Sequence, residues 1–265
     1  MIPARMLIDS LAHFFSEDLD NPLISENDLN HLVRSLRARE GETITISDGN
    51  GSWAQFTIQV NLRDARQAYE AFERGELIER TSSIYRQAPS DEGQIVGVGF
   101  SPNSSNLARD IVKQLTEVGV DLIIPILCDH TVLKASTVRN GEFREKLVRV
   151  MLAACQQSRR VRLATVLDAM TVDEVIKCYP DKCHMADYQL GSIPNSVSAP
   201  NLGSIPNSAS EQGSIILVGP EGGWSDRERT LGIPRIGLGP NVLRTETAAL
   251  IAGSILVKTH KPNFL

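Results

Sequence analysis

ILVGPEGGWSDRE, residues 216–228, is the stretch on which the reading of this chain turns. Branched apolar residues run up to Val218 and stop in Gly-Pro-Glu-Gly-Gly, the pattern of a buried strand ending in a turn almost bare of side chains. Ser225, with Glu228 three residues later, makes a capping box, so a helix starts at once and the turn is held short. In open parallel sheets, ligands bind beyond the carboxyl ends of the strands. Glycine at such a place permits positive φ and lets a flat ligand lie on the backbone, whose N–H and C=O groups can read the edges of a base. Gly219, Gly222 and Gly223 would provide that surface and Pro220 would stiffen it, with Leu217, Val218 and Glu221 completing the candidate binding stretch. For GPEGG taken alone, a tight turn built of turn-forming residues is the plainer account.

A second glycine-rich turn, GLGPNVLRTET (237–247), follows a short strand. Thr245 can cap the last helix, and Glu246 in its first turn suits the helix dipole. Arg244 opposes that dipole, which points to an anionic or substrate partner, or more plainly to a surface ion pair with Glu246 or Glu221. Leu238, Gly239 and Leu243 lie in the same turn. Neither turn is followed by Gly-Lys-Ser/Thr, and neither has the G-x-G-x-x-G spacing, which disfavours a triphosphate or NAD.

Outward from these turns, the chain from 94 onward alternates short apolar runs (QIVGVGF, DLIIPIL, LATVL, SIILVG, PRIGLG) with helical patterns, the mark of a mostly parallel sheet covered on both faces. The N-terminal part reads as mostly β. TITI and AQFTIQV alternate about the turn signals in SDGNGS, and a helix over SENDLNHLVRSLRARE starts at Ser25 and is stopped by Gly41. Residues 62–92 read as a surface helix and linker, so a boundary is expected near 85–93: an N-terminal domain with its linker over 1–85, and a second domain over 86–265. LGSIPNSVS (190–198) recurs as LGSIPNSAS (202–210), and 187–212 is expected to be a disordered insert.

A length of 265 residues at 42% hydrophobic composition suits a protein with a real core, and no apolar run reaches a membrane span. The N-terminus lacks a signal-peptide pattern, so a cytoplasmic location is expected. The net charge is −5, yet seven basic residues lie between Arg139 and Arg162 against Glu142 and Glu145, a local basic excess on an acidic chain. A solvated helix face is the commoner fate of such a run. Four scattered cysteines make no disulfide framework, and CYPDKCH, which could offer Cys178, Cys183 and His184, lacks a second pair at zinc spacing; no metal is expected.

GPEGGWSDRE followed by IGLGPNVLRTETAALIAG resembles the paired signature of the RsmE family, SPOUT-class methyltransferases of uridine N3 in small-subunit (16S) ribosomal RNA. QLTEVGVDLIIPI and AACQQSRR are similar to that family's Thr-Glu-Leu-Gly-Val step and Gln-Ser-x-Arg helix end, and NHLVRSLRAREGETITISDGNG resembles an element of its N-terminal domain. CDHTVLKAS stands where the family has a basic Arg-Ser, and Trp224 where phenylalanine is usual. The resemblance implies an α/β protein: a small PUA-like β-barrel, then a SPOUT-type parallel sheet whose last elements form a trefoil knot. It implies S-adenosylmethionine as cofactor, held by residues 217–223 with Leu238, Gly239, Leu243, Arg244 and Thr245, and a homodimer binding RNA of the small ribosomal subunit across both copies. Arg244 and Glu246 are the candidates nearest the chemistry, with Glu221 as an alternative proton acceptor. Arg34, Arg37, Arg39, Arg139, Arg144, Arg159 and Arg160 are the candidate RNA contacts. Two other readings stand beside this one: the same fold acting on another RNA, for instance at a ribose 2′-oxygen, and a non-catalytic RNA-binding or ribosome-assembly protein.

Overall fold

The computed structural model describes residues 3–62, 64–87, 95–188 and 213–261. These form two compact units. Residues up to Gln87 join Cys155–Leu163 in the first, and Ile95–Ala154 joins the described residues from Ala164 onward in the second.

The first unit contains α1 (Pro3–Asp9), β1 (His13–Phe15), α2 (Glu26–Asn30), β2 (Thr43–Ser47), β3 (Ser52–Ile58), α3 (Ala65–Glu73), β4 (Ile78–Arg80) and β5 (Tyr85–Arg86). Alternation about the Asp48–Gly51 turn gives the expected β2–β3 hairpin, Thr43 opposite Thr57 and Ser47 opposite Trp53. β1 adds to β2 in parallel, and β4 and β5 both pair antiparallel with β3. Residues 62–92 were expected to hold only a helix and a linker; α3 is there, but β4 and β5 extend the sheet. Ser25 caps α2, accepting from the Asp28 amide. One π turn (His31–Ser35) then ends the helical stretch before Gly41 is reached, and the reversal falls at Arg37, with φ 52°. Gly41 instead opens β2, its amide donating to the Ile58 carbonyl. Phe14, Leu29, Leu32, Ile44, Ile46, Phe56, Ile58 and Leu77 fill the core; each such side chain contributes about 1.5–3 kcal/mol on burial.

Cys155–Leu163 completes this unit. The Ser47 hydroxyl, fully buried, donates to the Val161 carbonyl at 2.7 Å, the Leu163 amide to the Gly49 carbonyl at 2.9 Å, and Val161 packs on Met6 and Trp53. The 139–162 basic run is therefore not one helix face. Arg159 turns its guanidinium onto the carbonyls of Ser10, Leu11 and Gln156, and Arg160 donates to the Arg162 carbonyl.

The second unit runs β6 (Ile95–Phe100), α4 (Ser105–Val118), β7 (Leu122–Leu127), α5 (Ala135–Val138), α6 (Gly141–Gln157, whose last turn belongs to the first unit), β8 (Thr165–Val166), β9 (Met170–Thr171), α7 (Val172–Cys178), β10 (Cys183–Ala186), β11 (Gly213–Val218), α8 (Asp226–Arg229), β12 (Arg235–Ile236) and α9 (Thr245–His260). All pairs in its sheet are parallel, in the order β12-β10-β11-β6-β7-β8, with β9 also on β7. One face packs Ile124, Ile126, Val172, Val175, Ile215 and Leu217, and α9 lies against β6, β11 and α4. α4 begins on a Ser104 cap and ends at Gly119 with φ 100°, as its sequence signals require.

β10 was not anticipated. Cys183 and His184 are successive strand residues and face opposite sides of the sheet, while Cys178 is exposed on α7. Among the described residues no three His, Cys, Asp or Glu side chains are grouped to hold a metal. None of the described helices is long and apolar enough to cross a membrane. The duplicated LGSIPNS segment lies outside the described residues, but Asp187 and Tyr188, expected at the start of the insert, do not: Asp187 is buried at the end of β10.

Candidate active site

Three parallel strands, β10, β11 and β12, end at one edge of the second sheet, and the turns beyond them enclose a cleft of about 640 Å³ counting its open mouth, the size range of small-molecule sites. β11 leads into it through Val218. The turn that follows closes on itself, the Gly223 amide donating to the Pro220 carbonyl at 2.8 Å, with Gly223 at φ 72°. Trp224 then folds back beneath, and its indole Nε1 donates to the Ala186 carbonyl at the end of β10 at 2.7 Å. A Cβ on Gly219 would lie 3.0 Å from that indole, so the absence of a side chain here allows a close approach.

The turn is held from behind. Ser225 and Glu228 form the expected capping box, and Glu228, fully buried, accepts from the Ser225 amide at 2.9 Å and the Asp129 amide at 3.0 Å. Asp129, just beyond β7, takes two hydrogen bonds from Arg227 at 3.0 Å and one from the Ser225 hydroxyl. The Arg227 bonds, and after them the Ser225 bond, keep its carboxyl below the ordinary aspartate range. Arg227 also reaches Asp173 at 2.9 Å. Asp187, with its side chain 1% exposed, is held by Arg229 at 3.1 Å and Arg235 at 3.7 Å.

The second glycine-rich turn forms the opposite wall. Of the residues expected around the cofactor, all but Leu217, Gly222 and Arg244 line the cleft. Leu217 is buried in the sheet, and Gly222 faces an adjoining hollow. Thr245 does not cap α9. It is the first helical residue, Arg244 occupies the cap position without a side-chain cap bond, and the Thr245 hydroxyl donates to the Gly219 carbonyl at 3.1 Å, joining the two turns. Arg244 is exposed and pairs with neither Glu246 nor Glu221; Glu246 lines neither the cleft nor the hollow, whereas Glu221 lines both. Asp187, Tyr188, Trp224, Asn241 and Val242 line the cleft and were not expected to. An acidic residue directly after the apolar end of CHMAD is the one signal that could have marked Asp187.

Arg34, Arg37 and Arg39 are exposed on the first unit, with no guanidinium partner among the described residues. Arg139 pairs with Glu174 at 3.2 Å, and Arg144 donates to the Val166 carbonyl at 3.0 Å and approaches Asp168.

A parallel sheet whose carboxyl edge carries a cleft between two glycine-rich turns defines an α/β protein with a small-molecule site. The family model described as RNA methyltransferase domain matches residues 93–257, and one described as RNA methyltransferase PUA domain matches residues 24–61. The ribosomal RNA small subunit methyltransferase E of Bacillus subtilis is 26% identical over 245 residues, covering 88% of each chain. The crystal structure of a probable rRNA-methyltransferase from Porphyromonas gingivalis superposes with a TM-score of 0.69 at 21% identity, over 94% of this chain and 98% of that one. That of a ribosomal RNA small subunit methyltransferase E from Neisseria gonorrhoeae bound to S-adenosyl methionine does so at 0.67 and 23%, over 93% and 97%. The chain belongs to this RNA methyltransferase family.

Proposed function

We propose that the protein transfers a methyl group from S-adenosylmethionine to N3 of a uridine in the small-subunit (16S) ribosomal RNA. The observation that carries this is the cleft itself: two glycine-rich turns tied by the Thr245–Gly219 bond, at the carboxyl edge of a parallel sheet in a chain of this family. Its residues suit that cofactor. Leu238, Leu243 and Ala248 offer apolar walls to an adenine, and a Cβ on Gly239 would meet nothing within 4 Å. Glu221 brings a carboxylate with no cationic partner among the described residues to a ligand that carries a sulfonium and an ammonium. The bound cofactor supplies the electrophilic methyl.

The chain's own residues have two tasks: to hold the uracil in line, and to favour loss of the N3 proton, because N3 is a poor nucleophile while protonated. Arg244, exposed beside the cleft and with no ion-pair partner among the described residues, is suited to developing negative charge on a uracil oxygen. The first unit supplies RNA affinity through Arg34, Arg37 and Arg39, with Arg139 and Arg144 on the second. Arg159 and Arg160 are committed to backbone carbonyls, and their contribution is to shape that surface. The trefoil knot, the homodimer binding RNA across both copies and the cytoplasmic location belong to the same proposal and are supported by the family resemblance. The test is labelled-methyl transfer to purified small subunits lacking their uridine-N3 methyl group, read by nucleoside mass spectrometry. 3-Methyluridine is the expected product; cofactor binding without a labelled uridine would overturn the reading.

A further inference from the structure

Beside the cofactor cleft lies a second hollow, edged by His130, Gly222, Ser225 and Arg229. The two share Tyr188, Glu221, Gly223, Trp224 and Val242, so a group held in one lies across a single turn from a group held in the other. His130 follows β7 and presents an exposed imidazole to this hollow. Its Nδ1 is 3.0 Å from the Gly223 carbonyl oxygen. A carbonyl oxygen only accepts, so Nδ1 carries a proton, and the tautomer this bond selects is the one whose lone pair lies on Nε2. No group among the described residues engages Nε2. Gly222 lies close to the same residue, and a Cβ there would come within 3.2 Å of the His130 Cβ.

Resting on the reading of this protein as a uridine-N3 methyltransferase, we propose that His130 is a catalytic residue whose Nε2 accepts the N3 proton of the uracil. The N3–H bond breaks with its proton passing to Nε2, and the freed pair on N3 forms the N3–CH3 bond. The S–CH3 bond breaks with its pair going to sulfur, leaving a neutral thioether. The positive charge brought by the sulfonium thus ends on the imidazolium. That charge faces Asp129 on its own loop, Glu221 on the shared turn and Asp226 on α8, against Arg229 on α8, with Tyr188 completing the rim. Glu221 is the poorer acceptor, because one of its oxygens is already bonded to the Asn103 side-chain amide.

His130→Asn retains an N–H able to reach Gly223 but has no basic nitrogen; His130→Ala removes both. With the full-length protein, single-turnover transfer to the unmethylated small subunit is followed across pH, and cofactor affinity by calorimetry. Both variants are expected to bind cofactor as the wild type does and to lose transfer rate by about a hundredfold or more. They are also expected to lose the limb on which the wild-type rate rises with pH, and added imidazole is expected to restore part of the rate in His130→Ala. Nitrogen-15 NMR of the unliganded protein should show His130 as the Nδ1–H tautomer. A wild-type rate and pH limb in His130→Asn, an Nε2–H tautomer, or rate loss tracking cofactor affinity without imidazole rescue would each overturn the assignment. A wild type that makes no 3-methyluridine defeats the parent reading, and the proton acceptor with it, before any variant is compared.

Discussion

A Cβ on Gly219 would lie 3.0 Å from the Trp224 indole, and the indole is not free to retreat because its Nε1 is bonded to the Ala186 carbonyl. The added methyl must therefore move the turn, and with it the Gly219 carbonyl that receives the Thr245 hydroxyl. Gly219→Ala is expected to weaken S-adenosylmethionine binding roughly tenfold, about 1.4 kcal/mol by calorimetry, while the protein stays folded. Arg244→Ala should do the reverse, abolishing methyl transfer with cofactor affinity unchanged, since the side chain is exposed and outside the cleft. Loss of affinity alone would remove Arg244 from the chemistry. At this scale the sequence showed the glycines, because few residues tolerate such a turn. It misplaced Thr245, whose true partner lies 26 positions earlier in the chain and is adjacent only in three dimensions.

α8 has four residues, too few to be stable through its own hydrogen bonds, and it is anchored by the buried Glu228. Both Glu228 oxygens accept from backbone amides, so Glu228→Gln turns an amide donor toward another donor. The change is expected to cost about 1–3 kcal/mol of stability in denaturant unfolding and to loosen the GPEGG turn. An unchanged midpoint would mean that the turn is held by Trp224 and Arg227 instead. Legibility followed length. α4, α6 and α9 span enough turns for caps and apolar spacing to be visible, and the apolar runs of β7 and β11 are visible as strands. β1, β4 and β5 have two or three residues and no period to detect. β10 is buried by its neighbours β11 and β12 although Cys-His-Met-Ala does not read as a strand.

For the whole molecule, each unit has its own core and one buried tryptophan, Trp53 in the first and Trp224 in the second. His13 in the first unit is 1% exposed, and burial, with the nearby Arg159 charge adding to it, lowers its pKa from 6.5 to about 4. The folded state thus holds the neutral ring. Its contribution is full above the unfolded value and is lost as pH falls through 6.5 toward 4, to the extent of about 3 kcal/mol. Unfolding followed by Trp53 fluorescence in a Trp224→Phe background should show this loss, and His13→Asn should shrink it; an equal loss in both would assign the acid sensitivity to other groups. The boundary expected near 85–93 held no sign of the chain's return to the first unit at Cys155–Leu163, because a returning loop leaves no mark in composition.

That return has a temporal meaning. Ser47 and Gly49 wait for Val161 and Leu163, and Trp53 for Val161, so the part of the chain made first lacks its closing piece until most of the second unit's β6, α4, β7 and α6 have been synthesised. On the ribosome, the N-terminal unit is begun early and completed late, and a fragment cut at its C-terminal linker would carry permanently the gap that the nascent chain carries only for a time.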